Sequence, residues 1–187
     1  QRVERRQPDH DRDEDRDEIV LLADQDGVDH DLIADGQDQS EKEAEEEFEK
    51  LKFHPLFITG VAIYWGEGDK KNRSLVRIAN TDPLMIALFV KFLRVICAAP
   101  NERIRAWLLL YPDLKESECK KFWTQKAGLS KINFNKSIII RGRHKINRIR
   151  FGVCNVGISS TYLKHKMMVW LSLLPQELLK MRYPHSI

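Results

Sequence analysis

The amino-acid sequence predicts an α+β fold in which an antiparallel sheet packs against helices. Two observations lead to this prediction. From about residue 53, apolar residues recur with the period of a helix in some segments, and in others they alternate with polar residues as in a strand. In chain order these segments read helix, strand, helix, strand, helix, strand, strand, helix, a mixture that is typical of a sheet covered by helices.

Proline residues mark the starts of the first two helices. The first helix is predicted from Pro55 to about Gly66, over the apolar segment PLFITGVAIYWG. The second is predicted over about 83–98, with Asp82 as the N-cap and Pro83 in the first turn. Because apolar residues surround the second helix almost completely, we expect it to be largely buried.

Two further helices are predicted in the second half of the chain. A short amphipathic helix covers about 115–127, and the last helix, capped by residues 159–161, covers about 161–174. Lys164, His165 and Lys166 are interpreted as the solvated side of that last helix.

Strands are predicted at a short segment 69–73, at 74–80, at 103–111 and twice within 136–159, where a basic loop joins the two strands. Alternation places Arg77 on the outer face of the second of these strands, opposite its apolar residues. Arg105 and Trp107 take the outer face of the next strand. For Trp107, packing in the core is the alternative.

Charge is distributed very unevenly along the chain. Residues 1–52 contain 8 Lys and Arg against 20 Asp and Glu, a net charge of −12, whereas residues 53–187 contain 23 against 8, a net charge of +15. Clustered Lys and Arg gain affinity for nucleic acid by releasing counterions from its phosphates. The basic part is therefore expected to bind a polyanion, with an ordinary basic surface as the alternative.

The same asymmetry divides the chain into two parts. Residues 1–52 are predicted to be an acidic, low-complexity and disordered segment, because IVLLA is the only apolar patch in its first 40 residues and cannot offset the ordering entropy. Its end, EKEAEEEFEKLK, favours a helix. Residues 53–187 are predicted to form the functional domain.

The cysteine pattern and the apolar segments indicate the compartment. Cys97, Cys119 and Cys154 are far apart and outside any CxxC pattern, so neither a disulfide framework nor a zinc site is predicted. The longest uncharged apolar segment has 12 residues, too few to span a bilayer. We expect a cytoplasmic protein without a membrane partner. Because the sequence begins with Gln1 rather than Met, we expect the chain to be a fragment of a longer protein.

The helix predicted from Pro55 to Gly66 carries a stripe of small side chains that ends at an acid. On a helix, Thr59, Ala62 and Gly66 lie on one narrow face, and such stripes allow two helix backbones to approach closely. The larger residues beside this seam, Trp65 among them, are expected to anchor the helix to its own sheet. Two paired copies of the helix would bring two Glu67 carboxylates together, and a divalent cation relieves such repulsion.

GVAIYWGEG resembles the nine-residue motif of the LAGLIDADG homing endonucleases. Ala62 takes the place of the motif's inner glycine, Gly66 of its small residue, Glu67 of its metal-binding acid and Gly68 of its terminal glycine. The flanking segments PLFITGVAIYWGEGDKK, RIANTDPLMIALFVKFL and VCNVGISSTYLKHKMMVWL also resemble single-motif, LAGLIDADG-like bacterial proteins. The resemblance covers roughly 54–174.

The resemblance implies a saddle-shaped antiparallel sheet that binds double-stranded DNA in its major groove. Since the chain shows no second copy of the motif, it also implies a homodimer. The implied activity is Mg²⁺-dependent cleavage of both strands, with Glu67 as the catalytic, metal-binding acid and Gly68 beside it in the metal site. A basic residue near the scissile phosphates is also implied, for which Lys136 and Lys70 are the candidates. The helix at 115–127 departs from the family's usual order of strand, strand, helix.

Three groups of basic residues are candidates for contacts with DNA phosphates and base edges. These groups lie after the motif, on the outer strand faces and in the loop of 136–159. They are Lys70, Lys71, Arg73, Arg77, Arg105, Arg141, Arg143, Lys145, Arg148 and Arg150. For the loop, a solvated hairpin tip is the alternative.

Other interpretations of the motif remain. An ordinary buried helix with a glycine C-cap would account for Gly66 and Gly68, although not for Glu67, because the helix dipole disfavours a carboxylate at that end. For the whole domain, the alternative function is a catalytically inactive DNA-binding or regulatory protein with the same fold. A module that only dimerises through the seam is a third interpretation.

Overall fold

Helices and strands follow one another in the predicted order. The computed structural model describes the backbone of residues 30–140 and 149–181, and side chains from residue 39 onward within these ranges. Its helices are α1 (His30–Leu51), α2 (Pro55–Glu67), α3 (Pro83–Val95), α4 (Glu116–Ala127) and α5 (Thr161–Lys180). Its strands are β1 (Leu75–Asn80), β2 (Arg105–Leu110), β3 (Ile138–Ile139) and β4 (Val153–Ser159). The predicted α+β class is confirmed.

Side-chain caps define the starts of three helices, two of which, at Asp82 and Ser160, the sequence predicts. The Asp82 carboxylate accepts a hydrogen bond from the Leu84 amide at the start of α3. Ser160 accepts one from the Leu163 amide at the start of α5. At the start of α2, His54 Nδ1 serves as the acceptor, ahead of proline in the first turn. Each cap satisfies a backbone donor that has no partner within the helix.

The sheet is mixed, so the prediction of an antiparallel sheet is wrong in one strand pair. Its strand order is β1, β4, β2, β3. β4 lies antiparallel between β1 and β2, whereas β3 runs parallel to β2 at the edge. The chain passes through α4 between β2 and β3, and a crossover of this kind allows a parallel pair. The two strands within 136–159 are therefore not neighbours in the sheet.

One face of the sheet is buried in the core. The inward side chains of the three longer strands are almost fully buried, and they are Val76, Ile78, Ala106, Leu108, Leu110, Cys154, Val156 and Ile158. On the other face Arg105 is exposed, and Arg77 and Trp107 are half-buried. The predicted faces of β1 and β2 are thus confirmed, and Trp107 is not a residue of the packed core.

The short strand predicted at 69–73 does not form. Asp69 Oδ1 accepts hydrogen bonds from the backbone amides of Lys71 and Asn72. Asn72 Oδ1 in turn accepts one from the Leu75 amide. These side chains satisfy the local backbone donors that a strand would have used in its ladder, and the segment turns instead.

The packed unit includes part of the acidic segment. Ala44 and Phe48 of α1 are buried, and Trp170 Nε1 donates a hydrogen bond to the Ala44 carbonyl at 3.0 Å. The described residues from Asp35 onward belong to one compact unit. Ala44 and Phe48 are one helical turn apart and form a narrow apolar stripe. The acidic composition of residues 1–52 as a whole did not indicate this stripe. The domain therefore begins well before residue 53.

Two further findings concern the cysteines and the apolar helices. Cys97, Cys119 and Cys154 all carry free thiols. No helix within the described ranges combines the length and the apolar character needed to cross a bilayer.

Candidate metal and nucleic-acid site

Helix α2 has one buried face and one exposed face, although it carries no charge before Glu67. Phe57, Val61 and Tyr64 are fully buried against the rest of the chain. On the opposite face Thr59 is half-buried, and Ala62, Gly66 and Glu67 are exposed. This exposed face consists mainly of small side chains and ends at the carboxylate of Glu67.

Trp65 lies on the exposed side of this helix, with 54% of its surface accessible. The prediction that it anchors α2 to its own sheet is wrong. The small-residue seam of Thr59, Ala62 and Gly66 is thus bordered by a large exposed aromatic ring. Aromatic rings of this kind are typical of the well-packed centre of protein interfaces.

The three glycines of the motif segment differ in what a side chain would meet at each position. A side chain on Gly60 would place its Cβ 2.1 Å from the Phe92 ring of α3, so glycine is needed for close helix packing. A Cβ on Gly68 would lie 2.3 Å from the Tyr64 carbonyl oxygen. Among the described residues, a Cβ on Gly66 would meet no heavy atom within 4 Å. Glycine inside a helix costs about 1 kcal/mol relative to alanine, and nothing in the described part of the chain explains that cost at Gly66.

Gly68 ends helix α2 in an extended conformation, with φ −78° and ψ 145°. Its amide donates to the Tyr64 carbonyl at 2.8 Å. The glycine C-cap of the alternative interpretation is therefore confirmed at Gly68, although the backbone there is extended rather than left-handed. Glycine is present here because of the close approach of Tyr64.

Glu67 forms the exposed C-terminal end of α2. Among the described residues its carboxylate has no hydrogen bond or ion pair, and the helix dipole disfavours its negative charge. The adjacent Gly68 carbonyl accepts a long hydrogen bond from Lys70 Nζ at 3.4 Å. A carboxylate and a backbone carbonyl are hard oxygen donors that suit Mg²⁺, so the residues present fit half of a metal site.

A single chain does not complete that site. Within the described residues, no three His, Cys, Asp or Glu side chains are grouped so as to hold a metal ion. A metal at Glu67 would therefore require the Glu67 of a second copy, or oxygen atoms of a bound nucleic acid.

Asp69, which the sequence analysis did not single out, connects the end of the motif to the sheet. Its amide donates to the Arg77 carbonyl at 3.0 Å, and its Oδ2 accepts from Arg77 Nη2 at 2.6 Å. Burial opposes ionisation, but the hydrogen bonds from the Asn72 amide and the Arg77 guanidinium outweigh it and hold the pKa of the Asp69 carboxyl below its usual value.

A row of residues crosses the outer sheet face next to this ion pair. Gly157 of β4 lies opposite Arg77 on one side and opposite Arg105 on the other. Strand spacing separates the two arginine Cα atoms by roughly 10 Å. The Arg77 guanidinium lies 5.6 Å from the centre of the Trp107 ring, and Arg105 Nη1 donates to the Ile132 carbonyl at 2.7 Å. Each guanidinium has five N–H donors, so both keep donors for an anion.

Asn155 occupies the next outward position on the central strand. It lies opposite Ala79 and Trp107, and only 5% of its surface is exposed. Its side-chain nitrogen has no hydrogen-bond partner among the described residues. An unsatisfied buried amide is costly, and no contact in the described part of the chain explains it.

The two candidates for a basic residue beside the scissile phosphates occupy different places. Lys136 lies two residues before the edge strand β3, whereas Gly68 pairs with Ile78 of β1 at the opposite edge of the sheet. Three strand spacings, roughly 14 Å, separate these edges within one chain. Lys70 instead lies beside Glu67, where its ammonium contacts the Gly68 carbonyl.

The remaining basic candidates are placed in part. Lys71 and Arg73 are exposed in the turn after Glu67. Arg150 is exposed, with its guanidinium 5.2 Å from the Phe151 ring. Arg141, Arg143, Lys145 and Arg148 lie outside the described residues.

Two lysines of α5 are not on its solvated side, so the interpretation of Lys164 and Lys166 as wet residues is wrong. Their exposed fractions are 3% and 7%. Lys166 pairs with Glu47 of α1 at 2.6 Å. Lys164 Nζ donates to the Tyr64 hydroxyl at 2.5 Å and to the Asp69 carbonyl at 2.6 Å. The sequence offers no local signal for these contacts, which join residues far apart in the chain.

Comparison of the chain with protein-family models, with curated proteins and with solved structures finds no match.

Proposed function

We propose that the chain binds double-stranded DNA as a homodimer, with the outer sheet face on the DNA and the α2 helices paired along Thr59, Ala62 and Gly66. The resemblance of GVAIYWGEG to the LAGLIDADG motif supports this arrangement. In it, the Glu67 carboxylates of the two copies would hold Mg²⁺, which would supply the chemistry for cleavage of both strands.

The exposed Gly66 carries the proposal. A glycine whose Cβ would meet nothing in its own chain destabilises α2. A second helix backbone seated against the seam supplies the missing reason, since only small residues allow such close packing. The exposed ring of Trp65 beside the seam agrees with a protein partner rather than water.

Arg77 and Arg105 support DNA as the ligand of the sheet. Both lie on the outer face and flank Gly157, so no side chain stands between them. Residues 53–187 carry a net charge of +15. Phosphate binding by such a surface releases counterions, and the affinity then falls steeply with salt.

Mg²⁺ bound at Glu67 would polarise a phosphoryl oxygen and activate water for an in-line attack. The chain's own contribution is to hold Glu67 at the end of a helix that is anchored by its buried face, next to a backbone carbonyl and Lys70. A protein that keeps the dimer and the DNA-binding face but not the metal would bind DNA without cleaving it, and this is the alternative function.

The dimer is tested by sedimentation equilibrium of the wild type and of Gly66→Leu. We expect the wild type to be a dimer and the variant, whose added side chain separates the helices, to be a monomer. Leu173→Ala on α5, away from the seam, is the control and should remain dimeric. A monomeric wild type would refute the pairing of α2.

DNA binding and cleavage are tested with a pool of randomised duplexes at several salt concentrations, with and without Mg²⁺. We expect retardation that weakens with salt, and Mg²⁺-dependent cleavage that Glu67→Gln abolishes while binding is kept. Glu102→Gln, an exposed acid before β2, is the control. Binding without cleavage by the wild type would establish the non-cleaving alternative, and absence of binding would refute both.

A further inference from the structure

Lys164 lies beneath the turn that follows Glu67. Its ammonium donates to the Tyr64 hydroxyl at 2.5 Å and to the Asp69 carbonyl at 2.6 Å. The Tyr64 hydroxyl donates to the same carbonyl at 2.5 Å. The three groups form a closed triangle that joins α5, the last turn of α2 and the residue two positions after Glu67.

This lysine is unusual because it is buried without a carboxylate partner at ion-pair distance among the described residues. The Asp69 carboxylate, which is the nearest source of opposite charge, pairs with Arg77 instead. Burying a cation costs free energy that hydrogen bonds to neutral oxygens recover only in part. Lys164 is therefore poorly explained as a stabilising residue.

Lys166 provides a contrast two positions along the same helix. It is buried to a similar extent, but it pairs with Glu47 at 2.6 Å and also contacts the Tyr162 hydroxyl. Its partners join α5 to α1, away from Glu67. One buried lysine thus has a complete structural explanation, and the other does not.

The contacts of Lys164 converge on the backbone that determines the direction of Glu67. The Gly68 amide is bonded to the Tyr64 carbonyl at 2.8 Å, and the Asp69 amide to the Arg77 carbonyl at 3.0 Å. The triangle holds the Asp69 carbonyl as a third point. These bonds restrain the backbone directly after Glu67 at three atoms: the Gly68 amide, the Asp69 amide and the Asp69 carbonyl.

We propose that Lys164 is a positioning residue that holds the Gly68–Asp69 backbone and so aims the Glu67 carboxylate at its metal. The consequence for cleavage rests on the function proposed above, whereas the effect on the backbone does not. Misplacement of a reacting group by about 1 Å can cost roughly 10²-fold in rate. A modest loosening of this turn is therefore sufficient to slow cleavage.

The test compares Lys164→Met with Lys166→Met by thermal unfolding, by amide hydrogen exchange at Gly68 and Asp69, and by cleavage. Met has a similar length and no charge. We expect Lys164→Met to unfold at the wild-type temperature or above, to exchange these amides about tenfold faster, and to cleave about tenfold slower or worse with unchanged DNA affinity. Lys166→Met should unfold at a lower temperature with unchanged exchange at Gly68 and Asp69.

Tyr64→Phe keeps the ring and removes one corner of the triangle, so it provides a second route if Lys164→Met does not fold. Faster exchange at Asp69 in either variant supports the proposal. Wild-type exchange in every variant that folds overturns it. If the wild type does not cleave DNA, the exchange measurements alone decide the role of Lys164, and only the proposed cleavage fails.

Discussion

Asp69 and Arg77 are joined twice, once through the backbone at 3.0 Å and once through their side chains at 2.6 Å. The double link connects the turn after the motif helix to the outer face of β1. Because Arg77 also lies over the Trp107 ring, the position of Glu67 and the shape of the basic sheet face depend on one set of contacts. This link suggests the first prediction.

Asp69→Asn keeps the size of the side chain and removes its charge. We expect a loss of about 1 to 3 kcal/mol in the free energy of unfolding at neutral pH, as for a hydrogen bond to a charged group. The pKa of the carboxyl is lower in the folded chain. Its contribution is therefore complete above the unfolded pKa of about 4 and disappears as pH falls through the lower folded pKa.

Urea unfolding of wild type and variant over a pH series measures this effect, and the two free energies should converge in acid. Asp82→Asn is the matched control, since asparagine caps a helix as well as aspartate does. A difference that stays constant down to low pH would show that the charge of Asp69 is not responsible.

Gly66→Ala should stabilise the monomeric chain by up to about 1 kcal/mol, because its Cβ meets nothing. Gly60→Ala should destabilise the monomeric chain, since its Cβ would lie 2.1 Å from the Phe92 ring. Chemical unfolding at a protein concentration where the chain is monomeric measures both. Equal destabilisation by the two changes would mean that Gly66 is required within its own chain.

Arg105→Ala should weaken binding to all duplexes alike and reduce the slope of log affinity against log salt by about 1, as expected for one lost phosphate contact. Lys121→Ala, an exposed lysine of α4, removes the same charge elsewhere. Fluorescence anisotropy over a salt series gives the slopes. If the Lys121 variant has as large an effect as the Arg105 variant, binding reflects only the overall charge.

Asn155→Val should stabilise the fold by roughly 1 to 2 kcal/mol, since it removes a buried amide nitrogen without a partner and places a β-branched residue in a strand. Asn133→Val is the contrast. Asn133 is also buried, but its amide nitrogen donates to two backbone carbonyls at 2.6 and 2.9 Å. Its replacement should be strongly destabilising in urea unfolding. Similar losses at the two positions would mean that Asn155 has a satisfying partner after all.

Phe48→Ala should lower the free energy of unfolding by about 3 to 5 kcal/mol, the usual cost of removing a buried aromatic ring. The neighbouring exposed Glu45→Ala should change it by less than about 0.5 kcal/mol. Thermal and urea unfolding measure both. Wild-type stability of the Phe48 variant would show that α1 does not belong to the folded unit.

The sequence by itself determined the order of helices and strands and the faces of β1 and β2. The signals responsible act over a few residues: proline in the first helical turn, a capping side chain such as Asp82, and a period of 2 or 3.6 in apolar residues. It also indicated the small-residue seam and the acid at its end, because both lie within nine residues.

Only the tertiary structure decided which surfaces these elements cover. The parallel pairing of β3, the burial of Lys164 and the bonds between Asp69 and Arg77 depend on residues brought together from different parts of the chain; Lys164 and Tyr64 are 100 positions apart. Likewise, the sequence could not show that Gly60 and Gly68 are needed within the chain whereas Gly66 is not. That distinction depends on which atoms surround each glycine, and packing at this level is a property of the assembled core.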